Sequence, residues 1–351
     1  MNRITQAHRL SLRRTARAKL QRTAHAIHPG HANQLGLTLV ELLVAMVIGL
    51  LISLAAISGL LISRQGFSAV DASSQLRDNG RFVSDLIQRL GVQTGFRDAR
   101  FATGVPPTSV AGLAADPEPN IIGFNDALLN SSNPFNAALA GTTADGSDVL
   151  VMRYQTAETF PGSGVADGSM IDCMGRSSNT VAIDQYDRVA SALHIQVSRG
   201  EPSLMCTTVS ATGVTDTMPI IRGVENFQVL YGVDRVVAGV APTGATDTVP
   251  DSYLRANQLT VAGSTVATNA NWRRVRSIRV GMVLRGPPGS AQDTAAQTFH
   301  PFGPARESAT GAVGSAMSSA NDKGTVFAPA PDGRLRQVVT FTVHLRNDQG
   351  L

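Results

Sequence analysis

The residues able to do chemistry are few and thinly spread, and Glu41 stands out by position. It lies five residues after Gly36, at the start of residues 42–63, a run of 22 positions without a charged side chain. A run of that length crosses a bilayer core as a helix. A carboxylate at its end costs several kcal/mol unless it snorkels to the interface or meets a partner. The other chemistry is sparse. Four of the seven histidines lie before residue 36, leaving His194, His300 and His344 too scattered to form a metal or catalytic cluster. No G-x-S-x-G, H-E-x-x-H or P-loop lysine occurs, so neither an enzyme nor a cofactor or metal is expected. Arg273, Arg274, Arg276 and Arg279 form the one dense basic run beyond residue 36, with Trp272 as its only aromatic neighbour. A solvated strand face, with Arg274 and Arg276 projecting outward, is the preferred reading over a nucleic-acid surface.

Charge placement argues the same way. Residues 1–36 hold seven Lys and Arg and no acid, leaving 23 basic against 26 acidic residues in the rest, so the body is mildly acidic and no nucleic-acid partner is expected. The basic segment before the apolar run, with Arg64 ending it, places the N-terminus in the cytoplasm and everything past about residue 64 outside by the positive-inside rule. Cys173 and Cys206 therefore sit in an oxidising compartment, which favours a disulfide; two unpaired thiols are the alternative. Closing that loop would stabilise the fold by about 3–4 kcal/mol in the chain-entropy model. An ordinary secretory signal would be cut after a shorter apolar run, and residues 53–58 offer only a weak site. A twin-arginine signal at Arg13 and Arg14 lacks the hydrophobic pair that should follow it.

The alternative is a cut before the run. Gly36-Leu37-Thr38-Leu39-Val40-Glu41 resembles the class III signal of type IV prepilins, in which a glycine precedes the cut and a glutamate is the fifth mature residue. The resemblance implies cleavage after Gly36 by an inner-membrane prepilin peptidase and methylation of Leu37, which stands where major pilins usually have phenylalanine. It also implies that Glu41 pairs with the N-terminal amine of a neighbouring subunit and sets register during assembly. Further stretches are similar to PilW-type minor pilins: 75–82, 146–154, Asp172-Cys173-Met174-Gly175, 223–234 and 334–347. After Tyr231-Gly232-Val233-Asp234 this chain reads Arg235-Val236-Val237, so no calcium site is carried over.

The elements that must position these residues follow from periodicity. Val83, Leu86, Ile87 and Leu90 mark one face of a helix. A helix of roughly 55 residues from Leu37 therefore continues past the apolar run towards Gly91 and Gly95, with Gly80 as an expected kink. Gly49 and Gly59 inside the apolar run suit close helix approach, or simply the usual glycine content of membrane helices. Beyond residue 100, strands are expected at 148–154 and 180–183. Alternation assigns a buried face to Leu193, Ile195 and Val197, to Ile278, Val280, Met282 and Leu284, and to Val339, Phe341, Val343 and Leu345. Each such strand should keep its second face wet. Residues 101–147, 235–271 and 286–333, rich in small and polar residues, read as surface loops or insertions.

The expectation is an α+β, pilin-like chain. Residues 1–36 form a basic leader, 37–63 a transmembrane and filament-core helix, 64–95 its amphipathic continuation, and 96–351 an exported β-rich domain of antiparallel sheet with long loops. The function implied is that of a minor pilin in initiation or assembly of a type IV pilus. Its partners would be prepilin peptidase, other minor pilins, the major pilin and the inner membrane, with a tip adhesin as a further candidate. It would move from a single-pass inner-membrane state, C-terminal domain periplasmic, to the pilus at the cell surface. A type II secretion pseudopilin and a membrane-tethered extracytoplasmic adhesin or binding module are the alternatives.

Overall fold

The computed structural model describes residues 36–98, 118–140, 146–184, 186–209, 214–291, 295–303 and 324–347. The chain divides into two compact units at the 58/59 boundary. The expected leader lies outside the described residues except for Gly36.

Helix α1 runs from Leu39 to Gln93, 55 residues with no proline. Thr38 caps its start: its Oγ1 accepts the amide of Glu41 at 3.2 Å, satisfying one of the amides that a first turn leaves orphaned. Gly95 ends it with a φ of +77°, the left-handed geometry of a helix terminus. Asn347 Nδ2 donates to the carbonyls of Val92 and Thr94, so the chain following the last strand closes the helix's C-terminal end.

In the first unit, the described residues 36–58 are exposed throughout. In the second, the helix buries Ala72, Leu76, Gly80, Val83, Ile87 and Leu90, spaced three or four apart as one helical stripe, with Gly91 beside Leu90. Gly80 is no kink. The helix passes through it unbroken, and a Cβ there would stand 2.8 Å from Val339 Cγ2, so this glycine permits close approach to a strand.

The rest is antiparallel β structure. Strands β1 (Ile121–Phe124), β4 (Val149–Tyr154), β5 (Val189–Ser198), β6 (Glu201–Val209) and β7 (Thr215–Arg222) form a five-stranded sheet in the order β1-β4-β5-β6-β7. Strands β8 (Val224–Val233), β9 (Ser252–Leu254), β10 (Val275–Arg285) and β11 (Arg336–His344) form a second, ordered β11-β10-β8-β9. A hairpin of β2 (Ala127–Leu129) and β3 (Ala138–Ala140) stands apart. One core joins Leu76, Val83, Ile87 and Leu90 of the helix to Met152, Leu193 and Leu204 of the first sheet and to Phe227, Tyr231, Ile278 and Met282 of the second.

Several expectations are corrected. The second faces of the sheets are not generally wet: β4 is buried at all six positions and β8 at all ten. The segments read as surface loops are the cause. Ala127, Phe124, Leu129 and Phe135, from the stretch 101–147, cover Val149, Val151 and Ala192 on the outer face of the first sheet. Pro301, from 286–333, presses on Gly281 of β10, where a Cβ would meet its carbonyl oxygen at 2.7 Å. The stretch 235–271 holds β9, a 3-10 turn at Ala256–Leu259 and helix α2 (Thr265–Trp272), capped by Ser264. On β5 the supposedly wet His194 is buried and Val197 exposed. No strand forms at 180–183. The amide of Ile183 donates to the Asp187 carboxylate and the carbonyl of Thr180 accepts the Thr156 hydroxyl, so side chains take the place of a ladder.

Candidate functional site

The first candidate site is the entry to α1. Gly36 and Leu37 form the extended, exposed approach, and Glu41 sits in the first helical turn with its side chain exposed. Its carboxylate makes no ion pair or hydrogen bond with another described residue. The local fold follows from composition: Thr38 stops the helix from extending backwards, and the residues after it are good helix formers free of proline. No residue from 36 to 68 is buried. Ser53 and Ser58 return their hydroxyls to the carbonyls of Gly49 and Leu54, both at 2.8 Å, the arrangement that lets a hydroxyl reside in apolar surroundings. The alternative cut at 53–58 thus falls inside a regular helix.

The second feature is the disulfide. Cys173 and Cys206 are bonded, with Cα atoms 5.7 Å apart. Cys206 lies in β6, opposite Leu193 and Met218, while Cys173 occupies a turn held by Asp172, whose Oδ1 accepts the amides of Met174 and Arg176. Arg176 then bridges Asp172 and Asp216, at 3.1 and 2.8 Å. The bond therefore pins the connection between β4 and β5 onto the sheet.

The basic run after Trp272 is not a solvated face. Trp272 is buried edge-on against Tyr231, with centroids 4.7 Å apart. Arg274 donates to the carbonyl of Gly244, and Arg276 faces the buried Asp234 at 3.7 Å. Arg274 thus bonds into the 235–271 insertion directly, and Asp234, beside Arg276, accepts the amides of Asp247 and Thr248 from it.

Sequence reasoning missed an ionic knot where four strands end. Arg285 contacts Glu201 at 2.7 Å and Glu225 at 3.0 Å, Arg336 contacts Glu225 at 2.6 Å and Asp332 at 2.8 Å, and Arg334 contacts Glu201 at 3.1 Å. Burial pushes the Glu201 carboxyl up, but Arg285 and Arg334 outweigh it and hold it below its ordinary value. The signal was present in Arg334-Leu335-Arg336. Only the fold reveals the partners, which lie up to 133 positions away. His194 was also passed over: burial lowers its pKa to about 4, and its Nε2 lies 3.0 Å from Thr207 Oγ1. Among the described residues no group of three or more His, Cys, Asp and Glu is arranged to hold a metal.

Comparison with known proteins meets this geometry at both ends of the chain. Residues 31–57 match the prokaryotic N-terminal methylation motif, the class III prepilin signal, and so span the junction at Gly36 and the exposed start of α1. The chain thus carries a prepilin signal, and α1, the one helix among the described residues long and apolar enough to cross a membrane, makes it a membrane-anchored protein. Residues 193–347 match the type IV pilus-assembly protein W family, PilW, over the segment from β5 to the residues just past β11. The two matches together support a type IV pilus minor pilin, a reading that implies prepilin processing and association with other pilus components. No curated protein matches it in sequence. Among solved structures, a type IV-like pilin from Thermus thermophilus is similar over 78% of this chain and 98% of its own, at 13% identity and a TM-score of 0.34. A similarity that slight carries no weight here, and the assignment rests on the two sequence matches.

Proposed function

We propose that the chain acts as a structural subunit in the initiation or assembly of a type IV pilus, and that its work is packing rather than catalysis. In this reading prepilin peptidase cuts after Gly36, Leu37 becomes the methylated N-terminus, and the C-terminal domain faces the periplasm until the helix enters a filament. Glu41 meets the amine of a neighbouring pilin. Other minor pilins and the major pilin are the partners, with a tip adhesin as a further one.

The observation that carries this reading is the combination at the start of α1. A helix exposed at every described position up to residue 68 begins at the matched junction, and a carboxylate without a described partner stands in its first turn. Outside water, that carboxylate is costly until a cation reaches it. The test is Glu41→Ala in the native host. Surface pili should fall sharply while the protein persists in the membrane fraction at a normal level, and the purified variant should melt where the parent does. Normal piliation would overturn the role given to Glu41. Mass and N-terminal sequencing of the membrane-derived protein should find methylated Leu37, and a retained leader would remove the basis for filament entry.

A further inference from the structure

Away from the helix, a cleft of about 650 Å³ opens between the approach to β1, strand β4 and the 172–190 connection, within the size range of small-molecule sites. Three arginines line it, and one of them, Arg176, is paired with Asp172 and Asp216. Arg153, on β4, is 3% exposed, and its guanidinium donates to the carbonyls of Pro119 and Phe135 and to Asn136 Oδ1. Arg188, just before β5, donates to the carbonyl of Glu118 and to Asn120 Oδ1, each at 2.8 Å, and its Nε is buried with no acceptor. The recorded acceptors of Arg153 and Arg188 are all neutral.

Among the described residues no acidic side chain of the cleft accepts a hydrogen bond from Arg153 or Arg188. Glu118 approaches Arg153 only to 3.6 Å and its side chain is 51% exposed, which leaves a weak, screened pair. Asp172 is engaged by Arg176 and two amides, and Asp187 by the amide of Ile183. Burial lowers the Arg153 pKa to about 10, with Arg188 adding to the effect and Glu118 opposing it. Burial also lowers Arg188, Glu118 opposes this, and Arg97 and Arg273 lower it further. A guanidinium pair of which one member is buried and the other half-buried is costly to keep without an anion, and a planar fork of N–H donors matches a carboxylate. Ser177, Asn179, Thr180 and Tyr186 on the wall suit the polar remainder of a small molecule.

We propose that this cleft binds the carboxylate of a small polar molecule, either an acidic sugar or a peptide C-terminus, at Arg153 and Arg188. The inference is independent of how α1 enters a filament.

The test uses the full chain in detergent micelles, titrated at low salt with galacturonate and with N-acetylglycylglycine, each against its neutral counterpart, galactose or the peptide amide. Saturable binding of either acid, absent for its counterpart, is expected, and the acid that binds identifies the source of the carboxylate. Arg188→Gln should weaken that binding by about tenfold or more, the loss of one charge-assisted contact. Arg188→Lys, which keeps the charge but not the fork, should fall between, and it decides the matter should Arg188→Gln fail to fold by circular dichroism. Absence of saturable binding by both acids, equal binding of the neutral compounds, or an affinity unchanged by the Arg188 variants would overturn the proposal.

Discussion

From residue 39 to 68 every position of α1 is exposed, while between 72 and 91 seven positions are buried. Both stretches are regular helix, so backbone geometry does not separate them. The first is apolar all round from residue 42 to 63 and carries nothing of the body's stability; its cover must come from lipid or from other subunits. The second is amphipathic and forms one wall of the core. A substitution in the first should therefore be silent in folding and visible in localisation or assembly, and one in the second the reverse.

The sharpest way to break that contrast is a matched pair of carboxylates. Ile87→Asp would bury an unpaired charge in the core and should cost at least several kcal/mol, abolishing cooperative thermal unfolding of the body. Leu50→Asp should leave the melting transition of the detergent-solubilised protein unchanged and deplete the protein from the membrane fraction. Equal effects of the two on melting would erase the distinction. Next comes the disulfide. Replacing Cys173 and Cys206 together by Ser should lower stability by about 3–4 kcal/mol in chemical denaturation. Fractionation with the membrane should not change, because the bond lies wholly in the second unit.

A smaller pair tests the glycines. At Gly91 a Cβ would stand 2.5 Å from Val343 Cγ1, so Gly91→Ala should cost about 1–2 kcal/mol after the usual helical gain of alanine. Gly49 has nothing within 4 Å, and Gly49→Ala should leave the melting temperature in place. The smallest expected effect is with pH. His194 has a lowered folded pKa of about 4, so between its ordinary value near 6.5 and 4 the unfolded chain binds the extra proton. Stability should fall with acidification across that window by up to about 1.4 kcal/mol per pH unit. Glu201 and Asp332, also held low by arginines, lose their contribution only as pH drops further, below the ordinary carboxylate range. His194→Gln should flatten the slope between pH 6.5 and 4.5 in thermal melts; an unaltered slope would assign it to other groups.

The contrast between the two helical stretches was itself legible in the residues. A charge-free run, a glycine before it, a glutamate at its start and a 3.6-residue stripe after it are local patterns, and local patterns survive without tertiary information. Strand positions at Val149–Tyr154, β10 and β11 were legible for the same reason. The 180–183 stretch was misread because four residues by themselves cannot reveal that the Asp187 side chain will take the amide of Ile183.

Sequence alone thus determined the long apolar helix, the methylation-motif match around Gly36 and Leu37, the likeness to PilW and the cysteine pair. Only the tertiary structure decided that Ala-, Gly- and Pro-rich connections cover the outer sheet faces, that Gly80 and Gly91 are contact points, and that Arg285, Arg334 and Arg336 share three acids. It also brought Arg153 and Arg188 to one cleft. The physical reason is range. A helix or strand period is written within a few residues, whereas a covered face or a matched charge depends on chain segments tens to more than a hundred positions apart, brought together when one core is buried.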